Sequence, residues 1–349
     1  MVQVRQNKSE EHVGEHILDN PPAFCKMLLP YGERPYWSAD GKRIAFIEKN
    51  YGDAAEIDLE TMQVRKLTHG LGEHHSFLRV LILANGDYLL IGPKEFRDRD
   101  ISRHVESELW VLPKDLSAPP KPLGRRLFEG CGVSAIANRI TYSMNGNHDP
   151  AIGSPKDFQV HVSEIVYGPN GAEIGGDKVI YRVSGVSPEP QDFRYNDSEV
   201  LMAEYCGSPF DGLDEWRCTV KGVNIETGEV RMYMSEKNVH NECEGIFPCH
   251  EHMTLECSGD MVNSFPPIDL WKMKLDGSMR RVRITRFIDH PPWRVSNSNI
   301  SPDGKWMAFM VNKYDSEAGF GMGLGLFDIE AWEKTPEAHQ WVTPWDYGK

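Results

Sequence analysis

Two stretches near opposite ends of the chain follow one pattern. "ERPYWSADGKRIAFIEKN" (33–50) and "VSNSNISPDGKWMAFMVN" (295–312) each hold a short extended run, a polar Asp-Gly turn and an alternating strand, with Ile44 and Phe46 in one and Met307 and Phe309 in the other. Asp-Gly between alternating runs is a strong hairpin signal. A repeat of this kind constrains the fold more than any single motif, because each unit buries its apolar face only against the next. Four weaker copies lie between, with "RVLILANGDYLLIGP" (79–93) and "QDFRYNDSEVLMAEY" (191–205) the clearer ones and "GVSAIANRITYSMN" (132–145) and "EGIFPCHEHMTLEC" (244–257) more eroded. Their turns fall at Asp40, Asn85, Asn138, Asp197, His250 and Asp303, spaced 45, 53, 59, 53 and 53 residues apart.

Most of these hairpins are followed by a second pair of strand-like runs, as in "AAEIDLETMQVRKLT" (54–68), "GVNIETGEVRMYM" (222–234) and "LWKMKLDGSMRRVRIT" (270–285). Each unit is therefore about four strands, and strong helical periodicity is absent. Four-stranded units of this length, repeated, predict an all-β fold, a β-propeller. The stretches "WSADGKRIAF" and "ISPDGKWMAF" resemble the TolB-type, WD-repeat-like propeller motif, and the resemblance covers residues 33 to about 343. Six opening hairpins predict six blades, with seven the alternative. Residues 1–30 are expected to supply a ring-closing strand, because an open ring leaves exposed edges, and residues 31–349 to form a single propeller domain.

Composition narrows the partners. A net charge of −14 argues against general nucleic-acid binding, which needs a basic footprint. No apolar run approaches the length of a membrane span. The polar start "MVQVRQNKSEEHVGEH" has no signal-peptide core, so the expected location is cytoplasmic for a complete chain and secreted if a leader was removed. The seven cysteines include no C-x-x-C and read as free thiols, although Cys206 and Cys218 flank a loop and are placed to pair.

The resemblance also implies a register. In such propellers the first strand of each blade lines a central channel. The turn to the second strand lies on one face, and the other connections lie on the opposite face, where ligands are held. "CHEH" (249–252) then occupies a turn on the far face, so its histidines are expected to be structural. Six residues before each turn stand Arg34, Arg79, Gly132, Gln191, Glu244 and Asn297, a polar ring at the channel mouth. Around it the sequence concentrates His75, His104, Glu189, Tyr205, Arg294 and the "HNECEG" segment (240–245).

No G-x-S-x-G, H-E-x-x-H, P-loop or dinucleotide fingerprint occurs. What remains is a set of arginines, histidines, tyrosines and carboxylates. The propeller also resembles, outside the repeat, enzymes acting on uronic-acid glycosides: oligogalacturonate lyase, saponin hydrolase and rhamnose–glucuronate lyase. That resemblance implies a small acidic oligosaccharide or glycoside as the partner. Arg34, Arg79 and Arg294, with Gln191 and Asn297, are then expected to hold substrate. His75, His104 and Tyr205 are the expected proton-transfer groups of a lyase, and Glu189 with Glu244 the carboxylate pair of a hydrolase. In oligogalacturonate lyase a histidine-rich site binds a metal. That constellation has no match here, so no metal ligands are named and the cofactor stays open, with a divalent cation in the central channel as its candidate. The alternative reading is a non-catalytic propeller that binds a protein or glycan partner through the same face, with Trp216, Trp293 and Trp345 as anchors.

Overall fold

A computed structural model describes residues 16–207, 215–259, 267–316 and 320–346. Six four-stranded antiparallel sheets form the six blades of a propeller. Their innermost strands are Glu33–Trp37, Arg79–Ile82, Cys131–Val133, Ser187–Arg194, Asn241–Ile246 and Trp293–Ile300, one per predicted repeat. The ring is closed by Cys25–Leu29, which pairs with Leu324–Asp328 and forms the outer strand of the sixth blade.

The turn chemistry explains why the repeats fold alike. In blade 1, Ser38 Oγ donates to Asp40 Oδ1 at 2.6 Å, and Asp40 Oδ1 accepts from Lys42 N at 3.1 Å. Blade 6 repeats this with Ser301, Asp303 and Lys305 at the same distances. Gly41 and Gly304 occupy the left-handed region the turn requires, with φ of 68° and 74°. In two of the weaker copies His250 and Asp197 adopt the same left-handed conformation, with φ of 59° and 62°.

Packing follows from strand alternation. Six buried apolar clusters lie between neighbouring blades. One joins Trp37, Ile44, Phe46 and Ile57 of blade 1 to Ala308, Met310 and Leu326 of blade 6. Another joins Leu89 and Val111 of blade 2 to Ile140 and Tyr142 of blade 3. Apolar side chains are thus spent between blades, and the axis is left to polar ones. Cys206 and Cys218 are both free thiols. They occupy adjacent cross-strand positions, Cys206 opposite Arg217 and Tyr205 opposite Cys218, so their side chains project from opposite faces of the sheet.

Gly132 is the ring position without a side chain. A Cβ there would meet the carbonyl oxygen of Gln191 at 2.6 Å, so glycine lets blades 3 and 4 close on each other. Gly132→Ala is expected to destabilise the fold by about 1–3 kcal/mol, read as a lower midpoint in urea denaturation.

Candidate functional site

The axis is where the blades bring their charges together. A cavity of about 40 Å³ is lined by Arg34, Arg79, Cys131, Gln191, Glu244 and Asn297, one residue from each inner strand. A second cavity, of about 60 Å³, shares Arg34 and Asn297 with the first and adds Arg103, Glu129, His240, Glu242, Glu256 and Arg294. Four guanidiniums, Arg34, Arg79, Arg103 and Arg294, therefore stand around two joined chambers.

The strands are bent to achieve this. The pairing of inner to second strand slips between Glu33 and Tyr36, Pro190 and Asp192, Cys243 and Ile246, and Ser296 and Asn299. Such bulges re-aim side chains, and they recur beside functional sites. Arg34 and Asn297 sit in them with φ of 50° and 46°, a conformation that non-glycine residues rarely adopt. The strain of order 1–3 kcal/mol that such positions carry is typical of sites held for function.

A hydrogen-bonded chain crosses the axis. Arg79 Nη1 donates to Gln191 Oε1 at 3.4 Å, and Gln191 Nε2 donates to Glu242 Oε1 at 3.2 Å. His240 Nε2 lies 3.5 Å from Glu242 Oε2 and 3.9 Å from Glu256 Oε2. Asn297 links Glu256 to Glu244, its backbone N–H donating to Glu256 Oε1 at 2.6 Å and its Nδ2 to Glu244 Oε1 at 3.3 Å. On the other side Arg34 Nη2 is 3.5 Å from Glu129 Oε1, a carboxylate also paired with Arg103. Arg34 Nε has no hydrogen-bond partner among the described residues, although Arg34 is buried.

Burial and crowding set the proton affinities. Burial first, and then the charge of Glu242, push the Glu189 carboxyl up to about 8, against the pull of Arg103, Arg79 and Arg34. Glu244 and Glu256 are raised by burial and by neighbouring carboxylates. Glu242 goes the other way: burial opposes its charge, but bonds from His240 and Tyr205 together with the field of Arg79 hold it below the usual range. The group thus keeps protons on some carboxyls while one remains charged. Nearby, burial raises Glu33 and Asp192 to about 7 each.

The structure brings Arg34, Arg79, Gln191, Glu244, Arg294 and Asn297 of the expected residues to the chamber walls. Glu189 and Tyr205 stand behind the walls, in neither lining: Glu189 interacts with Glu242 and three of the arginines, and Tyr205 bonds Glu242. His75 is placed elsewhere, whereas His104 Nε2 lies 3.6 Å from Glu129 Oε2 of the chamber wall. His75 Nδ1 is 2.7 Å from Asp53 Oδ1, half-exposed and outside both linings. His104 ends a short helix, Arg99–His104, and stacks on Phe128 at 4.8 Å. Burial and Arg103 lower it to about 4. The ring lies deeper than a channel mouth, because the inner strands of blades 4, 5 and 6 begin before Gln191, Glu244 and Asn297.

Arg103, Glu129, His240, Glu242 and Glu256 were not among the residues expected to act. Their signal was present in part. Glu242 and Glu256 face each other across blade 5 and are charges inside strands that the pattern buries. Arg103 and Glu129 come from connections, where sequence carries no register.

Among the described residues, the one group of three His, Cys, Asp or Glu side chains with donor atoms within 4.8 Å of one another is His240, Glu242 and Glu256. The "CHEH" segment does not form such a group. Cys249 Sγ lies 3.5 Å from His252 Nδ1 at an exposed turn, and the His250 carbonyl accepts from Arg194 Nε at 2.6 Å.

No family model matches the chain, and no curated protein matches it. Solved structures do. A putative TolB from Agrobacterium tumefaciens is 14% identical, with a TM-score of 0.55 over 81% of this chain and 90% of that one. The gluconolactonase XC5397 from Xanthomonas campestris is 11% identical, with a TM-score of 0.53 over 87% and 89%. An oligogalacturonate lyase in complex with manganese is 12% identical, with a TM-score of 0.50 over 86% and 79%. The fold is that of a TolB-like six-bladed propeller.

Two outcomes follow from this geometry. Glu33 and Asp192 hold protons in the folded chain up to about 7, against ordinary values of 4.5 and 3.8. Between those limits the folded state binds more protons than the unfolded one, so stability falls as pH rises from about 4 to about 7. The urea midpoint is expected to be higher at pH 5 than at pH 8, with a smaller gap in Asp192→Asn. The second outcome concerns the turn histidines. His250→Ala with His252→Ala is expected to leave any bound-metal content unchanged by elemental analysis.

Proposed function

We propose that the chain is a carbohydrate-active enzyme that cleaves an acidic, uronic-acid-containing glycoside in the axial chambers. The observation that carries this reading is the set of inward, incompletely satisfied guanidinium donors. Arg34 Nε is buried without a hydrogen-bond partner among the described residues, and Arg79 makes a long 3.4 Å bond. A buried donor left unmade costs about 1–3 kcal/mol, which a carboxylate placed between the two arginines would recover. Two structural neighbours, by name an oligogalacturonate lyase and a gluconolactonase, are compatible with this substrate class.

The groups suit β-elimination. Arg34 and Arg79 offset the charge of the substrate carboxylate and acidify the C–H next to it. Glu189, poised near neutrality at about 8, accepts that proton. The electron pair of the broken C–H bond forms the new C=C bond, and the bond to the leaving oxygen breaks. Tyr205, whose phenol burial keeps protonated, supplies a proton to that oxygen. Glu189 thus takes the base role that the sequence left open among His75, His104 and Tyr205.

The central cation left open by the sequence has a matching donor set. One nitrogen and two carboxylates of His240, Glu242 and Glu256 lie within 4.8 Å of one another, in a chamber where acids are crowded. That set suits a divalent cation such as Mn²⁺ or Mg²⁺. Bound there, the ion would supply charge neutralisation for the substrate carboxylate.

The binding-module alternative needs exposed anchors at the rim. Trp216 and Trp293 are 2% and 3% exposed, so neither can serve as one. Trp345 is 66% exposed, in the C-terminal segment whose Val342 bridges Arg281 of blade 5.

The test is a screen of glucuronide and galacturonide oligosaccharides, followed at about 235 nm, where an unsaturated uronate conjugated with its carboxylate absorbs. Arg79→Lys is expected to cost on the order of 1–3 kcal/mol in kcat/KM, because lysine loses the oriented fork. In the wild type kcat/KM rises with pH to a midpoint of about 8, the value held by Glu189. Glu189→Gln removes that limb. Cleavage without the absorbance would assign a hydrolase using Glu189 and Glu244. No cleavage of any uronide would return the chain to the binding module.

A further inference from the structure

The axial chambers are too small for a whole glycoside. At about 40 and 60 Å³ they fall well below the roughly 300–1,000 Å³ of pockets that enclose drug-sized ligands. They accept a carboxylate and the carbons next to it, so the rest of the ligand must lie outside. A cavity of about 640 Å³ opens beside them, with walls from the connections of blades 1, 2 and 6.

This vestibule is joined to the chambers by direct contacts. The Ser316 carbonyl, in its wall, accepts from Arg294 Nη2 at 3.2 Å, and Arg294 lines the second chamber. Asp315 and Tyr51, also in the wall, act electrostatically on Arg294 and Arg103. Its surface is aromatic. Tyr51 and Phe96 rings stand 4.5 Å apart, and Phe96 and Phe320 are 45% and 38% exposed. Tyr51 is held at φ 52°, a strained conformation for a bulky residue. Polar groups are interspersed: Asn50 Oδ1 is buried there without a hydrogen-bond partner among the described residues, and Lys49 is exposed beside it.

We propose that this vestibule is a sugar subsite that takes the neutral pyranose unit linked to the acidic one, a proposal that rests on the reading of the chambers as a uronate site. A pyranose presents an apolar face of C–H groups with hydroxyls around its edge. Phe96 and Phe320 meet that face, while the exposed Lys49 and Asp315 reach the hydroxyls. Exposed aromatic surface is costly to leave in water, and its placement at the mouth of a polar chamber matches a ligand whose two halves differ in charge. The acidic half sets which substrates enter, and the vestibule sets which neighbour they carry.

The experiment is isothermal calorimetry with two ligands, free glucuronate and a disaccharide of glucuronate linked to a neutral hexose. In the Glu189→Gln background, which does not turn the disaccharide over, the disaccharide is expected to bind about 3- to 10-fold more tightly, the gain of one aromatic contact. Phe96→Ala and Phe320→Ala should each reduce that gain and leave the glucuronate affinity unchanged, and Phe96→Trp should retain it. Both side chains are exposed, so the variants are expected to fold. Equal affinity for the two ligands, or a disaccharide affinity untouched by both alanine variants, overturns the subsite. If neither ligand binds, the uronate reading of the chambers fails, and the vestibule is tested alone with cellobiose by saturation-transfer NMR. Transfer to the sugar C–H groups that is lost in Phe96→Ala sustains the subsite, and absence of transfer overturns it.

Discussion

Everything at the axis depends on one pairing of strands at the periphery. Cys25–Leu29 adds to Leu324–Asp328 and closes the sixth sheet with residues from the start of the chain. Closure fixes how closely the six inner strands converge. Leu28 joins the apolar cluster of blades 1 and 6. Asn299 ties the same two blades near the axis, its Oδ1 accepting from Trp37 N at 2.9 Å and its carbonyl from Trp37 Nε1 at 3.0 Å. Without the closing strand, the last blade would keep an unpaired edge and the ring would be free to open.

Closure of this kind has an electrostatic consequence. Inner strands that converge on an axis bring side chains from six sheets into a volume of a few tens of Å³. Were those side chains apolar, the channel would be an ordinary core. Here they are arginines and carboxylates, and the cost of removing them from water is offset only by pairing. Arg103 meets Glu129 through two contacts, whereas Arg34 Nε has no hydrogen-bond partner among the described residues and Arg79 reaches Gln191 only at 3.4 Å. The same crowding of charge pushes proton affinities in opposite directions on Glu242 and Glu189.

The division of labour among blades is uneven. Blade 5 contributes three acids and a histidine, Glu242, Glu244, Glu256 and His240, whereas blade 3 contributes Cys131 and the bare backbone of Gly132 to the ring. The guanidiniums come from blades 1, 2 and 6 and from the helix Arg99–His104, so positive and negative groups face each other across the channel. A ligand with one acidic and one neutral end would be oriented by that asymmetry, its charged end toward the arginines.

By itself the sequence determined the blades. Asp-Gly turns and alternating strands are local signals, and a repeat multiplies them, so the hairpins, their six turns and the strand lining the channel were legible from residues 33 to 312. The same register placed Arg34, Arg79, Gln191, Glu244 and Asn297 around one axis, because strand alternation carries a side chain's direction along with its position. It expected His75 at the ring, where the structure pairs it with Asp53 instead, because a residue in a connection has no alternation to fix its direction; His104, also in a connection, stands 3.6 Å from Glu129. It passed over Glu256, on a second strand, and Arg103 and Glu129, which reach the axis only because a helix and a loop fold back over it. Only the tertiary structure decided those, along with the bulges at Arg34 and Asn297 and the shifted protons of Glu189 and Glu242. Burial and the nearness of other charges are properties of the closed ring, and no segment of chain carries them alone.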